Sequence, residues 1–166
     1  MTSFIDIRST DDPLNIRLSN TGLKNSHQHN LSVYYYLNSN RKQRYFSTYW
    51  SYSITQDAVA QGYVYDKTTG VRTYRPENVN GNYNIGGNVN YSMPLDKARR
   101  LTLNSGLWSR LYNSVDLISV TDGMAPARST VQTYNSGGSL NMEYAFPKDV
   151  RVGVKARCTW NHLSSG

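Results

Sequence analysis

The sequence predicts an all-β chain: a long antiparallel meander of about six strands, part of a large transmembrane β-barrel. Three observations predict it, namely unusually long runs of alternating polarity, an alternation of short and long connections, and aromatic residues at two levels. From Val79 to Met93, Val79, Tyr83, Ile85, Val89, Tyr91 and Met93 occupy one side of a strand. Asn80, Asn82, Asn84, Gly86, Asn88, Asn90 and Ser92 occupy the other, because successive side chains of a strand point to opposite faces. About fifteen residues is far beyond the usual soluble strand of roughly five or six. A long strand with one continuous apolar face suits a sheet that crosses a bilayer around a wet interior.

Five further segments repeat the pattern. Leu31, Val33, Tyr35 and Leu37 oppose Ser32, Tyr34, Tyr36 and Asn38, and Phe46, Trp50, Tyr52 and Ile54 oppose Ser47, Tyr49, Ser51 and Ser53. Leu101, Leu103, Leu107 and Leu111 oppose Thr102, Asn104, Trp108 and Arg110. Leu140, Met142, Tyr144 and Phe146 oppose Ser139, Asn141 and Glu143. In the last segment Val150, Val152, Val154, Ala156, Cys158 and Trp160 oppose Arg151, Gly153, Lys155, Arg157, Thr159 and Asn161. The expected strands are 27–37, 44–65, 71–93, 100–118, 129–146 and 150–162, in one barrel unit over 1–166.

Short turns are expected at Asn38–Gln43, Pro94–Ala98 and Pro147–Asp149, and longer excursions around Asp66–Gly70 and Ser119–Arg128. Outer-membrane barrels have this asymmetry, with short periplasmic turns and long external loops. Outward-facing Tyr35, Phe46, Tyr91, Tyr144 and Phe146 lie beside the short turns, and Tyr83, Tyr134 and Trp160 lie about ten residues further up. These eight are the expected aromatic contacts with the two lipid interfaces. Trp108 departs from the pattern, since its parity points inward.

Composition narrows the class. The 166 residues are 38% hydrophobic with a mean hydropathy of -0.62, and no apolar run approaches the length of a spanning helix. Helical membrane proteins are therefore excluded, whereas a barrel's lumen-facing residues dilute its hydropathy. The 14 tyrosines favour strands, and the single cysteine, Cys158, excludes a disulfide framework and a Cys-based zinc site. The net charge of +7 does not gather into a nucleic-acid-binding patch; the basic residues fall in turns or alternate into one strand face. No basic segment followed by an apolar stretch opens the chain, so a signal peptide is not visible and an internal piece of a longer chain is expected.

The stretch Asp12-Pro-Leu-Asn-Ile, then Leu23-Lys-Asn-Ser-His-Gln-His-Asn-Leu, resembles the TonB-dependent-receptor-like outer-membrane barrel family. So do Gly70-Val-Arg-Thr-Tyr-Arg-Pro-Glu-Asn-Val-Asn-Gly-Asn-Tyr and Pro94-Leu-Asp-Lys-Ala-Arg-Arg-Leu-Thr-Leu, and the likeness spans about Asp11 to Asn161. The resemblance implies a Gram-negative envelope protein with a barrel of about 22 strands around an N-terminal plug. It also implies uptake or binding of a scarce nutrient at the cell surface, driven through TonB. The partners it implies are outer-membrane lipid, the remaining strands and plug of a parent chain, and TonB through that plug. A soluble all-β carbohydrate-binding module is the alternative, and a structural sheet assembling through its edges is a further one.

No catalytic constellation emerges, so neither an enzyme nor a cofactor is expected. Asn80, Asn82, Asn84, Asn88, Asn90, Arg151, Lys155 and Arg157 are the expected lumen-facing residues. The three basic ones could form a positive stripe, although solvated or ion-paired wall charges are the simpler reading. His27 and His29 share a strand face but lack a third ligand nearby, and read as strand-entry residues rather than a metal site. Cys158 reads as a small lipid-facing residue, with no base in register. Asp57, Asp66, Asp116 and Asp122 lack calcium-loop spacing, and Gly86-Gly87 suggests a bulge or bend.

Overall fold

A computed structural model describes residues 12–118 and 127–165. Within them lie nine strands and no helix. The strands are β1 (Asn15–Arg17), β2 (His27–Ser39), β3 (Arg44–Gln56), β4 (Ala58–Tyr65), β5 (Arg72–Val79), β6 (Asn82–Pro94), β7 (Leu101–Ile118), β8 (Ala127–Ala145) and β9 (Arg151–Ser165). Strands β2-β3-β6-β7-β8-β9 form one antiparallel sheet in that order, and β1-β5-β4 form a second, in which β1 runs parallel to β5. The all-β architecture is as the alternation predicts. The large sheet is open, with β2 and β9 at its edges.

Pairing brings all six apolar rows to one face. Leu31, Val33, Tyr35 and Leu37 lie opposite Tyr52, Trp50, Thr48 and Phe46, and these in turn oppose Ile85, Gly87, Val89 and Tyr91. The row continues through Leu111, Ser109, Leu107 and Ser105 to Tyr134, Ser136, Gly138 and Leu140, and ends at His162, Trp160, Cys158 and Ala156. A slip of one residue between any two strands would send one apolar row to the polar side, so the pattern itself specifies the register.

The short turns step progressively along the sheet. One row runs from Leu37 through Phe46, Tyr91, Ser105 and Leu140 to Ala156. Counted down from it, the last pair before the turn is two residues away at Ser39–Arg44, three at Pro94–Thr102 and five at Ala145–Arg151. A stagger that keeps one direction across the sheet is the shear that tilts strands in a barrel wall.

The structure corrects two expected strands. The segments 44–65 and 71–93 each divide, into β3 and β4 and into β5 and β6. Thr55 pairs with Asn82 below the break and Ala58 with Val79 above it, so one register runs through and two residues on each strand are skipped. The bend sits at Asp57 (φ 52°) and Gly81 (φ 117°). Asn80 Oδ1 accepts the Asp57 N–H at 2.7 Å, and Asn78 Nδ2 donates to the Asp57 carbonyl at 2.7 Å, so the interrupted backbone remains satisfied.

The bend also moves Val79. Parity assigned it to the apolar row of β6; instead it ends β5 and is 1% exposed, packed with Ala58, Ala60, Val115 and Leu117. Along the top of β7, Asn113, Val115 and Leu117 are buried while Ser114, Asp116 and Ile118 are exposed. The folded-over β4–β5 hairpin thus covers the row of β7 that carries Leu107 and Leu111 lower down. A Cβ on Gly81 would lie 2.9 Å from Val115 Cγ2, so this close approach and the positive φ both call for glycine. Gly86-Gly87 forms no bulge: β6 pairs in unbroken register there with β3 and β7. Asp122, Gly123 and Pro126 of the second expected excursion lie outside the described residues.

Candidate functional site

The two faces of the six-stranded sheet are chemically opposite, and each carries a depression. On the apolar face, Gly87, Ser109 and Ser136 are consecutive members of a row flanked by Trp50 and Trp160. The small side chains leave a groove of about 450 Å³ that also takes in Val89, Leu107, Gly138 and Cys158. Ser109 Oγ donates to the Tyr134 hydroxyl at 3.2 Å, so this hydroxyl is not left unpaired on an apolar surface.

Aromatic residues mark two levels of that face. Near the short turns, Tyr35 and Phe46 have ring centroids 6.1 Å apart, and Tyr144 and Phe146 stand edge-to-face at 4.6 Å. Tyr91 lies in the row of Phe46. At the upper level Tyr134 and Trp160 meet edge-to-face at 5.3 Å, and Tyr83 occupies the same face of β6. Eight residues separate Tyr83 from Tyr91 and ten separate Tyr134 from Tyr144. At about 3.3 Å per residue and a tilt near 40°, that is on the order of 20–25 Å of height, comparable to the apolar band of a membrane barrel. Trp50 and Tyr52, placed on the apolar row by their alternation but not among the eight interface aromatics, extend this surface onto β3, and His162, which the alternation did not single out, stacks its ring on Trp160.

On the polar face, Asn38, Tyr45, Ser92, Asn104, Asn141 and Lys155 form a single row across all six strands. Above Gly106, which has no side chain, Asn90 and Ser139 border a depression of about 320 Å³ shared with Tyr45, Asn104, Asn141 and Lys155. Higher up, the polar groups satisfy one another: Ser32 with the Tyr49 hydroxyl at 3.2 Å, Gln28 with Ser53 at 3.0 Å, and Arg110 with the Tyr112 hydroxyl at 2.9 Å. Trp108 does face inward, lying over Gly137.

The candidate lumen residues divide by environment. Asn84, Asn88, Asn90, Arg151, Lys155 and Arg157 share the polar face. Asn90 reaches Ser47 Oγ at 3.4 Å, while Asn84 Oδ1 is buried and accepts no hydrogen bond among the described residues. Arg151 pairs with Glu143 at 3.3 Å; Lys155 and Arg157 make no ion pair among the described residues. Asn80 and Asn82 need correction. Asn80 sits in the bend and is spent on Asp57, and Asn82 Oδ1 accepts the Val115 N–H of β7 at 2.6 Å where the β6–β7 ladder ends, so both satisfy backbone groups instead of lining a free surface. His27 and His29 lie at the start of edge strand β2, and no cluster of three potential metal ligands occurs among the described residues.

A wall with one apolar and one polar face, staggered turns and two aromatic levels is barrel wall, and sequence comparison names its kind. The profile of the Outer membrane protein beta-barrel family matches residues 3–161. The chain belongs to that family. Comparison with curated proteins and with solved structures returns no match. The family places this barrel protein in the outer membrane, and the apolar face just described is the one fitted to lipid.

Proposed function

We propose that this chain is a wall segment of a TonB-dependent-receptor-like barrel that takes up or binds a nutrient at the cell surface. The observation that carries the reading is the register: six successive strands turn every apolar row to one side and every amide-rich row to the other. The outer row meets lipid, and the backbone groups pair between strands. The polar row lines the lumen or supports a plug, and Lys155 and Arg157 supply positive charge there. Open edges at β2 and β9 join further strands of the wall. No step of this work breaks or makes a covalent bond, so the segment is not an enzyme.

The single cysteine gives the test. A nitroxide on Cys158, with the chain refolded into bilayers, should be accessible to oxygen and sheltered from a water-soluble nickel chelate. In a Cys158→Ser background, a label on Arg157→Cys should show the reverse, and one on Val115→Cys should be sheltered from both. Equal nickel access at 157 and 158 would remove the membrane wall. Coupled uptake is tested in the native cell. Strains lacking this gene or lacking TonB should lose accumulation of the same scarce solute, and loss in the first strain alone would remove the coupling to TonB.

A further inference from the structure

The β1–β5–β4 sheet has two faces, and the barrel reading uses only one. Ala58, Ala60 and Val79 pack against Val115 and Leu117. The opposite face carries Tyr63 and Tyr65 from β4, Arg72 and Tyr74 from β5, and Arg17 from β1 beside Tyr74. The Arg72 guanidinium carbon lies 5.8 Å from the Tyr63 ring centroid and 5.9 Å from that of Tyr65, and Tyr63 and Tyr74 are 5.3 Å apart. Both rings lie within cation–π range of about 6 Å and hold the guanidinium beside them, and its N–H groups can meet an oxyanion.

Neither Arg17 nor Arg72 makes an ion pair among the described residues. Of the carboxylates near in sequence, Glu77 pairs with Ala60 on the covered face, and two others are held in turns. Asp12 accepts from Leu14 N–H and Asn15 Nδ2, and Asp66 accepts from Thr68 N–H and the Thr69 hydroxyl. The face is therefore cationic and tyrosine-rich, with no acid of its own to neutralise it.

Its position says what the oxyanion is. The covered residues Val115 and Leu117 continue the row of Leu107, which is 65% exposed on the apolar face. Cover begins at Asn113, which pairs with Tyr83 of the upper aromatic level. The hairpin therefore folds to the lipid side of the wall, immediately above the level where lipid contact ends, at the height of the headgroups. We propose that the outward face of this small sheet rests on the outer leaflet and that Arg72 and Arg17 bind the phosphates of its lipid headgroups. Tyrosine and arginine together are the side chains suited to that boundary, each with an apolar body and a polar end. The proposal rests on the long connections lying on the cell exterior.

The test places a nitroxide on exposed Gln61→Cys, on the same face, in the full Cys158→Ser chain. The chain is reconstituted in phosphatidylcholine vesicles with and without phosphatidylglycerol, and relaxation by nickel carried on a chelating lipid headgroup is measured. Relaxation should rise with phosphatidylglycerol, and Arg17→Ala/Arg72→Ala should lower that rise roughly twenty-fivefold, since each basic residue near an anionic surface counts about fivefold in local partition. A Val115→Cys label in the same double variant should stay sheltered, showing that the hairpin is still folded. Relaxation that ignores either the anionic lipid or the two arginines would overturn the proposal. So would a response to inorganic phosphate in plain phosphatidylcholine with none to phosphatidylglycerol, which would mark a site for a free anion. The Cys158 readings on the parent chain, taken in parallel, separate failure of this contact from failure of the membrane wall.

Discussion

Trp50 lies across Gly87, its directly paired neighbour: a Cβ on Gly87 would stand 2.4 Å from Cε3 of Trp50. The indole covers the strand where glycine leaves it bare, and the Trp50 Nε1–H donates to Thr48 Oγ1 at 2.8 Å, which holds the ring down. The same relationship recurs on the other face, where Trp108 lies over Gly137 at 2.7 Å from the corresponding Cβ position.

Gly87→Ala must therefore displace Trp50. Overpacking of this kind costs about 1–3 kcal/mol. Urea unfolding of the refolded protein, followed by tryptophan fluorescence, should shift to lower denaturant with a changed native emission. Gly70→Ala, at a site with open space beside it but positive φ, should leave that emission unchanged. An unaltered midpoint and emission in Gly87→Ala would show that the indole is free to leave.

The bend at Asp57 depends on asparagine side chains. Removing the amide in Asn80→Ala deprives the Asp57 N–H of its 2.7 Å acceptor, a loss of about 1 kcal/mol for a typical hydrogen bond. The expected result is local. Amide exchange should quicken across β4 and β5, from Ala58 to Val79, while β8 and β9 keep their protection. Uniform loss of protection would mean that the hairpin is not an independent unit.

Acid should loosen the hairpin tip. The Thr69 hydroxyl, with the Thr68 and Thr69 N–H groups, holds the Asp66 carboxyl below its ordinary value. A lowered native pKa means that the carboxylate stabilises the turn above the ordinary carboxylate range, about pH 4. That contribution is lost as pH falls through the lowered native value. Protection of the Thr68 and Thr69 amides, corrected for intrinsic exchange, should fall as pH drops below about 4. Asp66→Asn should remove the pH dependence.

Much of this wall was legible in the residues themselves. Alternation decides the faces of a strand because its side-chain period is two, so Leu103, Met142 and Val154 could be assigned to one surface before any pairing was known. The inward Trp108 followed from the same parity, and the short turns from the charged or proline-containing segments between the strands. The tertiary structure decided what parity cannot carry. Whether Val79 meets lipid or protein depends on a two-residue interruption at Asp57 and Asn80–Gly81, which preserves the register and therefore leaves the alternation undisturbed. Asn80 and Asn82 look like members of the polar ladder, yet they are hydrogen-bonded to backbone groups that only strand pairing and the bend bring near, Asp57 and Val115. Arg72 between Tyr63 and Tyr65 likewise requires two strands joined in register. A local period of two is written in sequence neighbours, but a bend and its cover are set by contacts between residues far apart in the chain.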